Sequence, residues 1–239
     1  MVDLSGKIAL VTGASKGLGA AIAKAYADAG AHVLLLARHE RRLGRISDAI
    51  QKYGGQATII PCDLSDSESL KNLAPLIQQK FGQLDIFVGN AGLLGTLSPL
   101  QDITTEEFNQ VLSVNLTANF ILLKTLPPLL NASKAGRIVM VSTSDKVING
   151  QGYWGSYAVS KAALETLVKT YADENAHGSI RTNIIKPGAL RTDMRAKAKP
   201  GEDPQSLPLP EEITYKFLEL ASNDCTLNGQ IIEAQPLRR

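Results

Sequence analysis

The sequence predicts one doubly wound α/β domain with a mostly parallel seven-stranded sheet and helices on both faces, and three observations carry that prediction. Apolar runs of strand length recur along all 239 residues, helical segments lie between them, and several runs are apolar at consecutive positions. Consecutive apolar positions mark strands covered on both sides. In order the runs are KIALVT (7–12), HVLLLA (32–37), ATIIPC (57–62), DIFVGN (85–90), RIVMVS (137–142), RTNIIKP (181–187) and QIIEA (230–234). Short crossovers between parallel strands are right-handed and place helices on both faces of the sheet.

The helices carry their own signals. In LGAAIAKAYADAG, Leu18, Ile22, Tyr26 and Ala29 fall along one side, and Gly30 stands where a helix ends. SDSE (65–68) and TTEE (104–107) fit the capping-box pattern that opens a helix. No internal repeat or low-complexity linker divides the chain, so residues 1–239 read as one domain. The one compositional shift is AKAKPGEDPQSLPLP (196–210), which holds four prolines and reads as an exposed loop. With the residues just before it, 194–210 is expected to cover a substrate.

Composition excludes several classes of function. With 25 basic and 23 acidic residues the net charge is +2, far from the concentrated basic stripe of a nucleic-acid or anionic-membrane binder. The amino terminus lacks a charged leader with a long apolar stretch, and no run approaches the roughly 18 apolar residues of a membrane span, so a cytoplasmic protein is expected. Cys62 and Cys225 lie far apart and read as reduced, packed thiols. With His32, His39 and His177 scattered, no metal site is expected.

Directly after the first strand comes TGASKGLG, with Gly13, Gly17 and Gly19 leading into the first helix. Missing Cβ atoms let the backbone turn tightly and approach a ligand, and a helix N-terminus offers free N–H groups to a pyrophosphate. The spacing differs from the G-x-G-x-x-G of the ordinary dinucleotide fold. It resembles that of the short-chain dehydrogenase/reductase family, T-G-x-x-x-G-x-G, met here by Thr12, Gly13, Gly17 and Gly19. Further family markers follow in order: CDL (62–64), NAG (90–92), Asn115, Ser144, YAVSK (157–161) and PGALRT (187–192). The resemblance covers almost the whole chain and implies a Rossmann-like fold.

It also implies the binding residues. The loop, Thr12, Gly13, Ser15, Lys16, Gly17, Leu18 and Gly19, would hold the pyrophosphate. Asp63 would accept from the adenine amino group and Leu64 would donate its backbone N–H, although Asp63 is also placed to cap the next helix. Asn90, Ala91 and Gly92 would lie along the adenosine side. Thr192, after Pro187 and Gly188, would touch the nicotinamide carboxamide. At the end of the second strand the chain reads LLLARHERR, so Ala37 and Arg38 stand where an acid would accept from the ribose hydroxyls of NAD. Arg38 with Lys16 suits a 2′-phosphate, so NADP(H) is the expected cofactor, with NAD(H) the alternative. Arg41 and Arg42 read as a solvated helix start.

Tyr157 and Lys161 stand four residues apart, on one helix face. Tyrosine ionises near pH 10, and a neighbouring ammonium favours the phenolate, so Lys161 is expected to draw Tyr157 toward the working range. Tyr157 would then exchange a proton with a carbonyl or alcohol oxygen while hydride moves to or from the nicotinamide. By resemblance Lys161 also holds the nicotinamide ribose. Ser144, thirteen residues before Tyr157, would hydrogen-bond the substrate oxygen, with Ser142 and Thr143 as alternatives in the same STS. Asn115 would anchor a water-mediated proton relay through Lys161 or stabilise a kink in the helix that Thr104 opens.

Gln151, Tyr153, Trp154 and Met194 are candidate walls for a small carbonyl or alcohol substrate. NAGLLG stands where many acyl-carrier-protein ketoreductases of the family read N-A-G-[IV]-T-x-D, which weakens that assignment. Asp145 and Lys146 put a purely apolar substrate in doubt. The rival reading is a catalytically silent nucleotide-sensing or scaffold protein, which would not need Ser144, Tyr157 and Lys161 together. The resemblance also implies a homodimer or homotetramer.

Overall fold

The computed structural model describes residues 2–234. Seven strands form one parallel sheet: β1 (Ile8–Thr12), β2 (His32–Ala37), β3 (Gln56–Pro61), β4 (Ile86–Gly89), β5 (Arg137–Val141), β6 (Arg181–Lys186) and β7 (Ile231–Glu233). Their spatial order is β3-β2-β1-β4-β5-β6-β7, and every pairing is parallel. The chain winds outward from β1 in one direction and then from β4 in the other. The switch point between β1 and β4 opens a crevice at the carboxyl ends of the strands, where such sheets bind ligands.

The helices are α1 (Gly17–Asp28), α2 (Glu40–Lys52), α3 (Ser67–Phe81), α4 (Thr105–Leu112), α5 (Ala118–Thr125), α6 (Pro127–Ala132), α7 (Asp145–Ile148), α8 (Gly155–Glu174), α9 (Asp193–Ala198) and α10 (Thr214–Ala221). They sandwich the sheet between two apolar layers. One layer packs Ile22 and Tyr26 of α1 and Phe217 of α10 on β1 and β2. The opposite layer packs Leu70 of α3, Leu122 of α5 and Leu164 of α8 on Phe87 and Met140. The continuous apolar reading holds for β4 and β5, buried at every position, whereas edge strands β3 and β7 contain no buried residue. An edge strand has a neighbour on one side only, and its cover is thinner.

Local signals placed the helix ends with two adjustments. Gly30 follows α1 with φ +97°, the left-handed conformation a glycine takes without strain. Thr104 caps α4, accepting from Glu107 N at 3.2 Å. The box is left open, because the Glu107 carboxylate accepts instead from Thr96 N–H. For α3 the cap is Asp66 rather than Ser65: its side chain accepts from Glu68 N and Ser69 N. Asp63 accepts from both the N–H and hydroxyl of Ser65, which occupies the residue that sequence alone offers as the cap.

The helix opened by Thr104 is interrupted. Ser113–Thr117 form a π turn between α4 and α5, with Asn115 wholly buried inside it. Such a turn widens the helix by one residue and shifts carbonyls off the regular ladder, and it recurs at functional sites. Here Asn119 Nδ2 donates to the Asn115 carbonyl oxygen at 2.8 Å. The proline-rich 196–210 segment is also more ordered than a bare loop: it includes the end of α9 and a 3₁₀ turn at Pro204–Ser206. A bidentate Arg195–Glu202 pair, at 2.5 and 2.6 Å, closes it on itself. Among the described residues no helix is long and apolar enough to cross a membrane.

Candidate active site

The glycine loop owes its shape to three positions. Gly13 and Gly17 take φ +68° and +54°, where a side chain is strained. A Cβ at Gly19 would stand 2.4 Å from Gly13 O and 2.5 Å from Asn90 Nδ2, so α1 packs on the loop only with glycine there. No side chain caps the first turn of α1. Ser15 is half-buried and Lys16 exposed, whereas the Leu18 side chain belongs to the core and leaves only its main chain to face a ligand. This cradle of backbone amides fits a pyrophosphate.

Thr12 acts one step back from that cradle. It is buried, and its hydroxyl donates to Val88 O at 3.2 Å while accepting from Asn90 N at 3.0 Å and Ala91 N at 3.1 Å. Asn90 Nδ2 returns a bond to Thr12 O at 2.9 Å. The ends of β1 and β4 are thereby locked together at the switch point, and Thr12 has no polar capacity left for a cofactor. The segment then runs to the presumed proton-transfer pair. A Cβ at Gly92 would lie 3.4 Å from Asn115 Oδ1 and 3.8 Å from Lys161 Nζ.

Asn115 fixes that approach. Its Oδ1 accepts from Leu93 N at 2.7 Å, and its Nδ2 donates to Leu93 O and to Ser160 Oγ, both at 2.9 Å. Ser160 Oγ donates to Tyr157 O at 2.7 Å. One buried amide therefore ties the loop after β4 to the first turns of α8. These bonds engage both ends of the amide side chain.

Tyr157 and Lys161 are both buried at the top of α8, with Lys161 Nζ 5.9 Å from the Tyr157 ring centroid. Lys161 Nζ donates to Val141 O at 2.7 Å. Trp154 stacks at a tilt on Tyr157, centroids 5.9 Å apart, within an apolar cluster that includes Val147 and is touched by Leu94, Leu97 and Ala198. Contact with Ala198 places the end of α9 against this cluster. Tyr153, by contrast, is exposed and adopts φ +72°, a conformation that costs a bulky residue strain. Gln151 and Met194 are half-buried.

The electrostatics differ from the sequence expectation. Burial pushes the Tyr157 phenol above its ordinary value, and a hydrogen bond with Thr143 opposes that only in part. Burial also lowers Lys161 to about 8, against the opposing attraction of Glu165. Burial is thus the larger influence on the phenol, and in the protein alone it favours the protonated form of Tyr157.

The three hydroxyls of STS have separate fates. Ser142 Oγ is buried and donates to Glu165 Oε1 at 2.6 Å. Ser144 is exposed at the N-terminus of α7. Thr143, half-buried, is the one that meets the Tyr157 phenol. Ser144, which the thirteen-residue spacing singles out, is the residue from which α7 starts, with Asp145 following at once.

At the adenosine end Arg38 is half exposed and stands 3.9 Å from Asp63 Oδ2. Burial tends to raise the Asp63 carboxyl, but its bonds to Ser65 and the nearby Arg38 hold it below the usual value. The Leu64 side chain belongs to the core under α3. Lys16 Nζ bonds Asp193 Oδ2 at 2.7 Å, and Asp193 also lies in the field of Arg42. Arg42, read from sequence as a solvated helix start, therefore joins the cations near the loop. After β6, Gly188 turns the chain with φ +72° and Thr192 returns over the glycine loop, its Cγ2 3.5 Å from where a Gly17 Cβ would be. The Thr192 hydroxyl caps α9, accepting from Arg195 N at 3.2 Å. Thr192 and Asp193 thus return to the glycine loop from the far half of the chain, and the signal for Asp193 as a partner of Lys16 lies in no local motif.

A parallel sheet with this strand order, a glycine cradle at its switch point and a buried tyrosine–lysine pair beside it defines a dinucleotide-dependent class of enzyme. The chain belongs to the short-chain dehydrogenase family, whose model matches residues 7–203, and it is an oxidoreductase of that class. The uncharacterized oxidoreductase YciK of Escherichia coli K12 is 39% identical over 240 residues, covering 99% of this chain and 94% of its own. The 3-oxoacyl-acyl-carrier-protein reductase FabG of Rickettsia conorii is 33% identical, covering 97% of this chain and 96% of its own. A Shigella flexneri structure described as a short chain dehydrogenase complexed with NADP superposes with TM-score 0.91 at 38% identity, over 99% of this chain and all of its own.

Proposed function

We propose that the protein is an NADP(H)-dependent reductase that converts a carbonyl compound to an alcohol, with Tyr157 as general acid. The observation that carries this reading is the continuous backbone from the glycine cradle to Lys161: Gly13 packs on Asn90 and Ala91, and Gly92 comes within van der Waals reach of the Lys161 amine. A dinucleotide held by the cradle would bring its nicotinamide to Tyr157. When bound, the cofactor supplies the hydride. The protein holds the proton: burial keeps the phenol protonated, which suits donation to the oxygen of a carbonyl being reduced. Thr143 is the hydroxyl placed to share that oxygen, in preference to Ser144. Lys161, fixed by Val141 O, supplies positive charge beside the phenolate as it forms.

Arg38 and Lys16 are the groups offered to a 2′-phosphate, and the NADP complex of the Shigella relative supports that choice. Trp154, Val147 and Leu97 give the substrate an apolar wall, and α9 with the segment after it covers the crevice. A sensor without turnover would have no use for a buried phenol with an amine and a hydroxyl gathered near it, which disfavours the rival reading. The test is to mix the purified protein with NADPH and a panel of carbonyl compounds while following nicotinamide absorbance. Loss of absorbance with at least one carbonyl supports the reading; NADPH binding with no consumption across ketones and aldehydes would favour the sensor.

A further inference from the structure

Lys161 and Glu165 stand one turn apart on α8, both buried, and dock on consecutive residues, Val141 at the end of β5 and Ser142 just after it. Lys161 Nζ donates to Val141 O at 2.7 Å, and Ser142 Oγ donates to Glu165 Oε1 at 2.6 Å. The same carboxylate oxygen lies 3.3 Å from Lys186 Nζ, at the end of β6. Lys186 also forms an ion pair with Asp145 in the first turn of α7. The Lys186 and Glu165 side chains are 3% and 9% exposed, whereas Asp145 is 70% exposed. A string of alternating charge therefore runs from the solvent edge at Asp145 through Lys186 and Glu165 to Lys161.

Of these groups only Lys161 has a part in the proposed reaction. Burying a charge is unfavourable unless it is paired, and here the buried Glu165 carboxylate pairs with Lys186 at 3.3 Å and stands one helical turn from the buried Lys161. The groups facing Glu165 are Lys161 from its own helix, Ser142 just after β5 and Lys186 from β6, with Asp145 of α7 acting through Lys186. Attraction spent on Lys186 is unavailable to Lys161. We propose that Glu165 is a positioning residue for the proton-transfer pair: it is the buried counter-charge that keeps Lys161 an ammonium, and Lys186 competes for it.

This inference rests on the reductase reading for its consequence but not for its test. The opposing pulls agree with it: burial lowers Lys161 while Glu165 raises it, and burial of Lys186 is overcome by its bonds to Asp145 and Glu165.

The experiment titrates Lys161 directly in the cofactor-free protein, by NMR of isotope-labelled lysine Cε, with the resonance assigned by its loss in Lys161→Met. Glu165→Gln should move the Lys161 midpoint downward by roughly one unit, and Lys186→Met should move it upward. The alkaline limb of kcat/KM for carbonyl reduction should follow the midpoint in each variant. Opposite displacements are what a purely structural ion pair would not produce. Midpoints that stay put, or shift in the same direction in both variants, overturn the proposal. If Lys186→Met does not fold, the exposed Asp145→Asn substitutes for it: Lys186 then leans wholly on Glu165, and the Lys161 midpoint should fall by less than in Glu165→Gln. An unmoved midpoint there also overturns the proposal. Displaced midpoints in a protein that reduces no carbonyl would leave Glu165's role standing and sink the reductase reading instead.

Discussion

Lys16 Nζ and Asp193 Oδ2, 177 residues apart in the chain, lie 2.7 Å from one another. The pair joins the glycine loop to the first residue of α9, so the cation expected to serve a 2′-phosphate already answers to a carboxylate. Hydrogen bonding to Lys16 holds Asp193 below the ordinary carboxylate value, which keeps it charged at neutral pH. Asp193→Asn should release Lys16 and tighten NADPH binding by about two- to five-fold, the scale of an exposed ion pair. NADH, lacking the phosphate, should be unaffected. Nicotinamide fluorescence titrations of both cofactors decide it; an Asn variant that binds NADPH no better would remove Lys16 from the phosphate site.

Arg38 is the second cation at that end of the crevice, half exposed and beside Asp63. Replacing it with aspartate both withdraws the guanidinium and places a carboxylate where the ribose hydroxyls of NAD can donate. The ratio of NADPH to NADH dissociation constants should move toward NADH by at least about ten-fold, since hydrogen bonds to charged groups contribute roughly 1.5–3 kcal/mol. A ratio that hardly changes would mean that Arg38 faces solvent in the complex.

Tyr157→Phe removes one oxygen from a buried ring whose packing against Trp154 is untouched. Cofactor affinity should stay within about two-fold, while turnover falls by the two to four orders of magnitude, roughly, that acid–base catalysis contributes. Rates measured at saturating NADPH separate the two effects. Substantial residual turnover would mean that another group donates the proton.

The seven strands and their parallel, doubly wound arrangement were legible because each core strand announces itself by consecutive apolar residues, and the binding loop because glycine spacing encodes backbone shape. What escaped the sequence was set by contacts between distant segments. Asp193 meets Lys16 only after the chain has crossed the sheet, and the wholly buried Asn115 spends its amide on Leu93 and Ser160 through a π turn that no local pattern declares. The sign of the Tyr157 shift was missed for a related reason. A lysine four residues away is visible in sequence, but the burial that raises the phenol is a property of the packed site.

The same limitation governs the hydroxyl beside Tyr157. Spacing favours Ser144, which is exposed at the start of α7, whereas Thr143 is half-buried and hydrogen-bonded to the phenol. Thr143→Val preserves shape and deletes the donor, so kcat for carbonyl reduction should fall by about two orders of magnitude, as when one donor to a developing oxyanion is lost. Ser144→Ala should cost less than about three-fold by the same comparison. Reversal of that ranking would return the role to Ser144.

The pH dependence of stability offers a check that needs no substrate. Lys161 ionises at about 8 in the folded protein, lowered by burial, against an ordinary value of 10.5. A depressed folded value means that the unfolded chain binds the proton more tightly. The full stability is therefore present above 10.5 and is lost as pH falls through about 8. Below that, the buried ammonium costs on the order of 3 kcal/mol at most, and Lys161→Met escapes that cost. The Met variant should accordingly hold its largest advantage in Tm over the parent near neutral pH. Its advantage should shrink by about 5–10 °C as the pH rises toward the ordinary lysine range, given the usual sensitivity of Tm in a domain of this size. A Tm difference that is flat with pH would show that Lys161 keeps an ordinary affinity for its proton, and that the buried surroundings of the tyrosine–lysine pair do not discharge it.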